Sequence, residues 1–136
     1  MALELINPDG LPVPESYTHA VVATGTKTVY VAGQVSEDAE GNLVAPGDFA
    51  AQARQAFANV RLVLAAAGAR PDQVARITIY VVGHRPALLP DIAAARIAVF
   101  GDQKPADTIL GVEVLRAVKE RCDPAGIMNP GKLLPA

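Results

Sequence analysis

The period of apolar and polar positions changes several times along the chain, and each change predicts an element. Ala20 to Ala23 and Thr28 to Ala32 are short apolar, β-branched runs on either side of Thr24-Gly25-Thr26-Lys27, which predicts a hairpin over residues 18 to 33. From Asp48 to Ala67 the period becomes helical, with Phe49, Ala53, Ala56, Val60, Val63, Leu64 and Ala67 on one stripe. Asp48 is the expected N-cap and Gly68 the expected stop. Gln52, Arg54, Gln55, Asn59 and Arg61 lie mostly off that stripe and are expected to be solvated. Val74 to Val82 alternates: Ile77, Ile79 and Val81 point one way, Arg76, Thr78 and Tyr80 the other. A second helix is expected over Leu88 to Phe100, with Pro90 in its first turn and Gly101 at its end. Thr108 to Leu115 has strand character through Ile109, Leu110, Val112 and Val114.

The stretches between these runs carry turn chemistry. Asn7-Pro8-Asp9-Gly10, Pro12 and Pro14 predict that residues 1 to 15 are a fixed but irregular lead-in. Residues 35 to 47 read as a polar excursion with Glu40-Gly41-Asn42 at its tip and Pro46-Gly47 closing it. The resulting order, β-β-α-β-α-β, predicts an α+β fold: a single mixed sheet with two helices on one face and right-handed crossovers. The other face would lack a helical cover, so self-association is expected.

Composition narrows the function classes. The 136 residues are enough for one domain with a core, and an apolar share of 51% with 4% aromatics leaves Ala, Val, Leu and Ile to fill it. A net charge of -2 and the lack of any Lys/Arg cluster argue against nucleic acid as a partner. No apolar run approaches the ~20 residues of a membrane span. No basic segment followed by an apolar run opens the sequence, so no secretory signal is expected. The one cysteine, Cys122, has no internal disulfide partner and no metal-site spacing. The expectation is a cytoplasmic protein without metal or cofactor.

Candidate chemistry concentrates near the hairpin. Tyr17 precedes its first run, where the hydroxyl could face a cleft, and Gly33-Gln34 ends its second, where a missing Cβ lets a ligand approach backbone amides. The plain alternatives are a boundary tyrosine and a strand-ending glycine. His19, beside Tyr17, is either a proton-transfer group near neutral pH or a half-exposed strand residue. Arg85 and Arg96 are candidates for anion contacts, against plain readings as a loop cation and a helix-surface cation.

Tyr30-Val31-Ala32-Gly33-Gln34-Val35 and Gly47-Asp48-Phe49-Ala50-Ala51-Gln52-Ala53-Arg54-Gln55-Ala56-Phe57 occur in that order. Asn59-Val60, Ala66-Ala67-Gly68, Thr78-Ile79-Tyr80-Val81 and Phe100-Gly101 follow them. On these residues the chain, from Asn7 to about Val114, resembles the reactive-intermediate deaminase family (Rid proteins, also called the YjgF or L-PSP endoribonuclease family). The resemblance implies a chorismate-mutase-like fold for a domain over residues 1 to 114. It also implies a homotrimer whose sheets pack as a barrel, with small-molecule ligands in clefts between subunits. Active members hydrolyse enamines and imines, as 2-iminobutanoate/2-iminopropanoate deaminases do. In the family an Arg in a Pro-Ala-Arg-Ser/Thr segment grips the substrate carboxylate through a planar fork. Here the segment is Pro105-Ala106-Asp107-Thr108, so Asp107 places an anion where the cation belongs. The family's water-holding Glu, in a final Ile-Glu-Ile-Glu-Ala-Val strand, has no counterpart. Tyr17, Gly33, Asp107 and His19 are thus the substrate-site candidates, without an assigned catalytic residue.

Residues 115 to 136 form an atypical tail, in which Val114 to Cys122 reads as a short helix ended by Asp123-Pro124, with a turn at Asn129-Pro130-Gly131-Lys132. It resembles the carboxy terminus of FAD-linked oxidases, but about 20 residues cannot build a dinucleotide site, so no flavin is implied. Three functions compete: a Rid-type imine or enamine deaminase, a trimeric small-molecule binder that has lost the anchor, and a ribonuclease. The acidic balance weighs against the last.

Overall fold

The structure is a computed structural model, and it describes residues 2–112. Expectations for Val114 to Cys122, the Cys122 thiol and the oxidase-like tail lie outside the described residues, as does the end of the last expected strand. Strand β1 (Ala2–Ile6) pairs antiparallel with β2 (Ala20–Thr24), Ala2 opposite Thr24 and Ile6 opposite Ala20. Helix α1 (Phe49–Ala66), strand β3 (Arg76–Val82), helix α2 (Leu89–Phe100) and strand β4 (Ala106–Val112) follow. β3 and β4 are parallel, with Arg76 opposite Ala106 and Val82 opposite Val112. The described strands thus form two two-stranded sheets rather than the single mixed sheet expected.

Two features of the sequence reading change. The lead-in contains β1: its Asn7–Gly10 turn and prolines return the chain so that Ile6 meets Ala20. β2 takes β1 as its ladder partner, and Thr28 to Ala32 runs without a regular ladder, leaving Tyr30 92% exposed. The expected hairpin is therefore absent among the described residues.

The helices follow from local chemistry. The Asp48 side chain accepts a hydrogen bond from the Ala51 amide at 3.0 Å, satisfying one donor of the first turn of α1. Gly68 ends the helix at φ 71°, a conformation that glycine adopts without strain. Both helices lie on one face of the β3–β4 pair, as the alternation predicted. Phe57, Ala95 and Phe100 pack with Ile77 and Ile79; Val81, Leu88 and Ile92 pack with Phe49, Ile79 and Ile109. The Phe57 and Phe100 rings meet edge to face at 6.0 Å. Each fully buried side chain of this kind contributes about 1.5–3 kcal/mol. On the opposite face Tyr80, Val82 and Leu110 are exposed at 66%, 57% and 43%, so among the described residues the β3–β4 pair is bare there.

The polar margin of α1 is not simply solvated. Gln52 Nε2 donates to the Ala45 carbonyl at 2.9 Å, and Asn59 Nδ2 donates to the Val35 and Glu37 carbonyls, each at 2.9 Å. These amides fasten the polar excursion to the helix. Within it, Asp38 accepts from the Glu40 and Asn42 amides and Gly41 turns at φ 81°, the tip that the sequence predicted.

Candidate functional site

The stretch before β2 is latched to the stretch before β4. Alternation sets Tyr17 and His19 outward and Thr18 inward, where it is 2% exposed. The buried Thr18 hydroxyl donates to the Lys104 carbonyl at 2.6 Å, and its amide donates to the Pro105 carbonyl at 3.4 Å. Pro105 is fully buried, so the entrance to β4 is held firmly. Tyr17, His19 and the Lys104 backbone therefore share one neighbourhood, just before β4 and three residues upstream of Asp107.

His19 is fixed from three sides. Its amide donates to Asn7 Oδ1 at 3.0 Å, its Nε2 lies 3.0 Å from the Pro12 carbonyl, and its ring meets Tyr17 edge to face at 5.5 Å. Tyr17 is 37% exposed. Thr18 and Lys104 are not anticipated by the sequence as site residues, and Asn7 and Pro12 are anticipated there only as turn residues. Only Thr18 left a signal there, as the inward position of a 17-18-19 alternation.

Asp107 faces the other way. It shares the helix side of β4 with Ile109, which packs against Val81 and Ile92. Its Oδ1 is buried without a hydrogen-bond partner. Burial raises its carboxyl above the ordinary range, while the Arg96 charge and the Thr108 amide pull it down. Arg96 is 3% exposed, which corrects its reading as a helix-surface cation. Burial lowers its pKa and Asp107 opposes that. Arg96 Nη1 donates to the Gln103 carbonyl in a long 3.4 Å bond, and Gln103 Nε2 is buried and unpartnered. Arg85 remains an exposed loop cation.

Gly33 belongs to another place. It lines an open groove of about 560 Å³ with Val35, Glu37, Gln55, Asn59 and Leu62, a lining that includes none of Tyr17, His19 and Asp107. A Cβ on Gly33 would meet nothing within 4 Å, so in this fold the position is not pressed by its surroundings. Within the single chain, then, Tyr17 and His19 are together, Asp107 lies beneath the nearby strand, and Gly33 stands apart. Among the described residues no group of three or more His, Cys, Asp or Glu side chains could hold a metal ion, and no helix is long and apolar enough to cross a membrane.

Comparison with known proteins gives a consistent set of relatives. Residues 10–120 match the family model described as Endoribonuclease L-PSP. The chain is 30% identical over 123 residues to a RutC family protein of Pyrococcus abyssi, covering 88% of this chain and 91% of that one. It is also 30% identical over 88 residues to a 2-iminobutanoate/2-iminopropanoate deaminase of Dermatophagoides farinae, covering 65% of this chain and 67% of the relative. Among solved structures it is similar to the Rid-family protein YyfB of Yersinia pestis, with a TM-score of 0.77, 38% identity, and coverage of 83% and 87%. It is also similar to RidA of an Antarctic Psychrobacter, with a TM-score of 0.56, 27% identity, and coverage of 80% and 85%.

Proposed function

The chain belongs to the endoribonuclease L-PSP (Rid) family, and from that premise we propose that it hydrolyses small imines or enamines, releasing ammonia and a carbonyl compound. The observation that carries this reading is the Thr18 latch, which holds the Tyr17–His19 pair against the entrance of β4. A phenol, an imidazole and the Lys104 residue are thereby gathered beside one strand, with donors and acceptors for a water and an imine nitrogen. The similarity to a named deaminase supports the same chemistry.

One observation favours a second reading, a small-molecule binder without catalysis. Asp107 stands where the family resemblance calls for a cation, and the Arg96 charge acts on its carboxyl. An assay on freshly generated 2-aminoacrylate or 2-iminobutanoate separates the two. Ammonia release well above the buffer rate supports the hydrolase. A rate equal to buffer, together with saturable binding of the stable keto acid product, supports the binder.

We also propose a homotrimer in which the helix-free faces meet and ligand clefts form at the seams. The exposed Tyr80, Val82 and Leu110 support it, because a bare apolar face of this kind calls for a partner. A cytoplasmic location completes the reading, since a lone cysteine is in keeping with a reducing compartment.

A further inference from the structure

We propose that His19 is the proton-transfer group of the imine hydrolysis, working from its Nδ1 atom; this rests on the activity proposed above. His19 Nε2 lies 3.0 Å from the Pro12 carbonyl oxygen. A carbonyl oxygen only accepts, so Nε2 must carry the proton. In the neutral ring the lone pair then resides on Nδ1, because the partner of one nitrogen sets the role of the other. Nδ1 has no hydrogen-bond partner among the described residues, and His19 is half-buried, so that lone pair remains available. The Nε2 bond to Pro12 and the edge-to-face Tyr17 ring orient the imidazole without using Nδ1, while the amide bond to Asn7 holds the backbone.

Tyr17 and the lead-in flank the His19 ring. Tyr17 comes from its own segment and Lys104 from the stretch latched by Thr18; the lead-in contacts it through Asn7 and Pro12, which carry no charge, and Asp9 between them is exposed.

The step balances without redox chemistry. Water adds to the carbon of a protonated imine. As the new C–O bond forms, one O–H proton passes to His19 Nδ1 and the C=N pair moves onto nitrogen. The imidazolium returns that proton to the amine nitrogen. The C–N bond then breaks, ammonia leaves with the pair, the hydroxyl proton passes to solvent, and the carbonyl forms. One water is consumed and His19 ends as it began.

The test uses the full chain and His19→Gln. Glutamine can still donate to the Pro12 carbonyl but cannot accept a proton at the Nδ1 position. We expect kcat to fall by about 100-fold or more, the usual range for loss of a general base, with KM within about twofold. The acid limb of the kcat pH profile should disappear. His19→Ala, with its melting temperature measured alongside, separates loss of the base from loss of the fold. A His19→Gln protein with wild-type kcat and pH profile overturns the assignment while leaving the deaminase reading intact. A wild type inert toward every imine tested removes both. Independently of turnover, nitrogen-detected NMR of the imidazole should find the Nε2–H tautomer at high pH, and the opposite tautomer would overturn the role of Nδ1.

Discussion

Arg96→Met removes a guanidinium and leaves a flexible apolar side chain in its space. Arg96 is 3% exposed, and Asp107 is the charge that favours its ionised form. The two make no direct ion pair, the one salt bridge among the described residues being Arg70–Asp72. Unit charges in contact at about 4 Å attract by about 4 kcal/mol at an effective dielectric near 20, and a pair without direct contact attracts less, by roughly 2 kcal/mol. Breaking a fully buried pair costs about 3–5 kcal/mol. Asp107 is only part-buried and can take up a proton, so the smaller figure governs. The expected loss is about 2 kcal/mol at pH 7, or roughly 6–10 °C in melting temperature for a chain of this size. The pH dependence supplies the sign. Burial holds the Asp107 carboxyl above its ordinary 3.8, so the folded chain binds this proton more tightly than the unfolded one. That contribution is fully present below the unfolded value and is lost as pH rises through the folded value. Arg96→Met removes a downward pull on the carboxyl, so the deficit deepens toward neutral pH and shrinks toward acid. Urea unfolding of wild type, Arg96→Met, Asp107→Asn and the double variant should give a coupling energy of about 1–2 kcal/mol. Additivity within about 0.5 kcal/mol, with a deficit that ignores pH, would refute the charge-pair reasoning.

Three further outcomes are expected. Tyr80→Asp should break the proposed trimer into smaller species in light scattering at micromolar concentration, and a wild type already monomeric there would sink the assembly. Asn59→Ala removes bonds to two carbonyls, worth about 1 kcal/mol each, and should speed hydrogen exchange at the Asp38, Gly41 and Val44 amides; unchanged exchange would show that α1 does not fasten the excursion. Ala45 sits at φ 51°, where an L-residue is strained by about 1–2 kcal/mol, whereas glycine gives back about 0.5–1 kcal/mol in chain entropy. Ala45→Gly should therefore raise the melting temperature by a few degrees, and a lower value would contradict the strain argument.

What could be read from the sequence was local. Asp48 and Gly68 bracket α1 because caps depend on neighbours three or four residues away. The Ile77-Ile79-Val81 face of β3 follows from the pleat alone. Strand pairing was not legible in the same way. β1 was hidden because its partner lies 18 residues on, past a stretch whose prolines and Asn-Pro-Asp-Gly turn dominate the local signal. Thr28 to Ala32 has strand composition, but composition does not supply a ladder partner. Arg96 could have been found: it lies four residues after Ile92 and four before Phe100, on the buried stripe of α2. Charge outweighed position in that reading. At the candidate site, Tyr17 and His19 were legible as neighbours, whereas the latch to Lys104 and Pro105 spans 86 residues and depends on the tertiary fold.

The latch and the buried charge meet at the same few residues, and this links stability to the proposed chemistry. Pro105 is fully buried and accepts from Thr18; two residues on, Asp107 turns under the sheet toward Arg96. Pro105 immediately precedes β4, and Thr18, bonded to it, sits between Tyr17 and His19 in the chain. An aspartate at this position thus has a use that a ligand-gripping cation would not: it answers a cation already buried in α2. An arginine there would set two like charges against each other in a poorly solvated space, a cost that rises as the local dielectric falls. Asp107→Arg should therefore shift the Tyr17–His19 site, seen as a change in the His19 imidazole NMR signals, unless Arg96 is replaced as well; unchanged signals would refute the coupling.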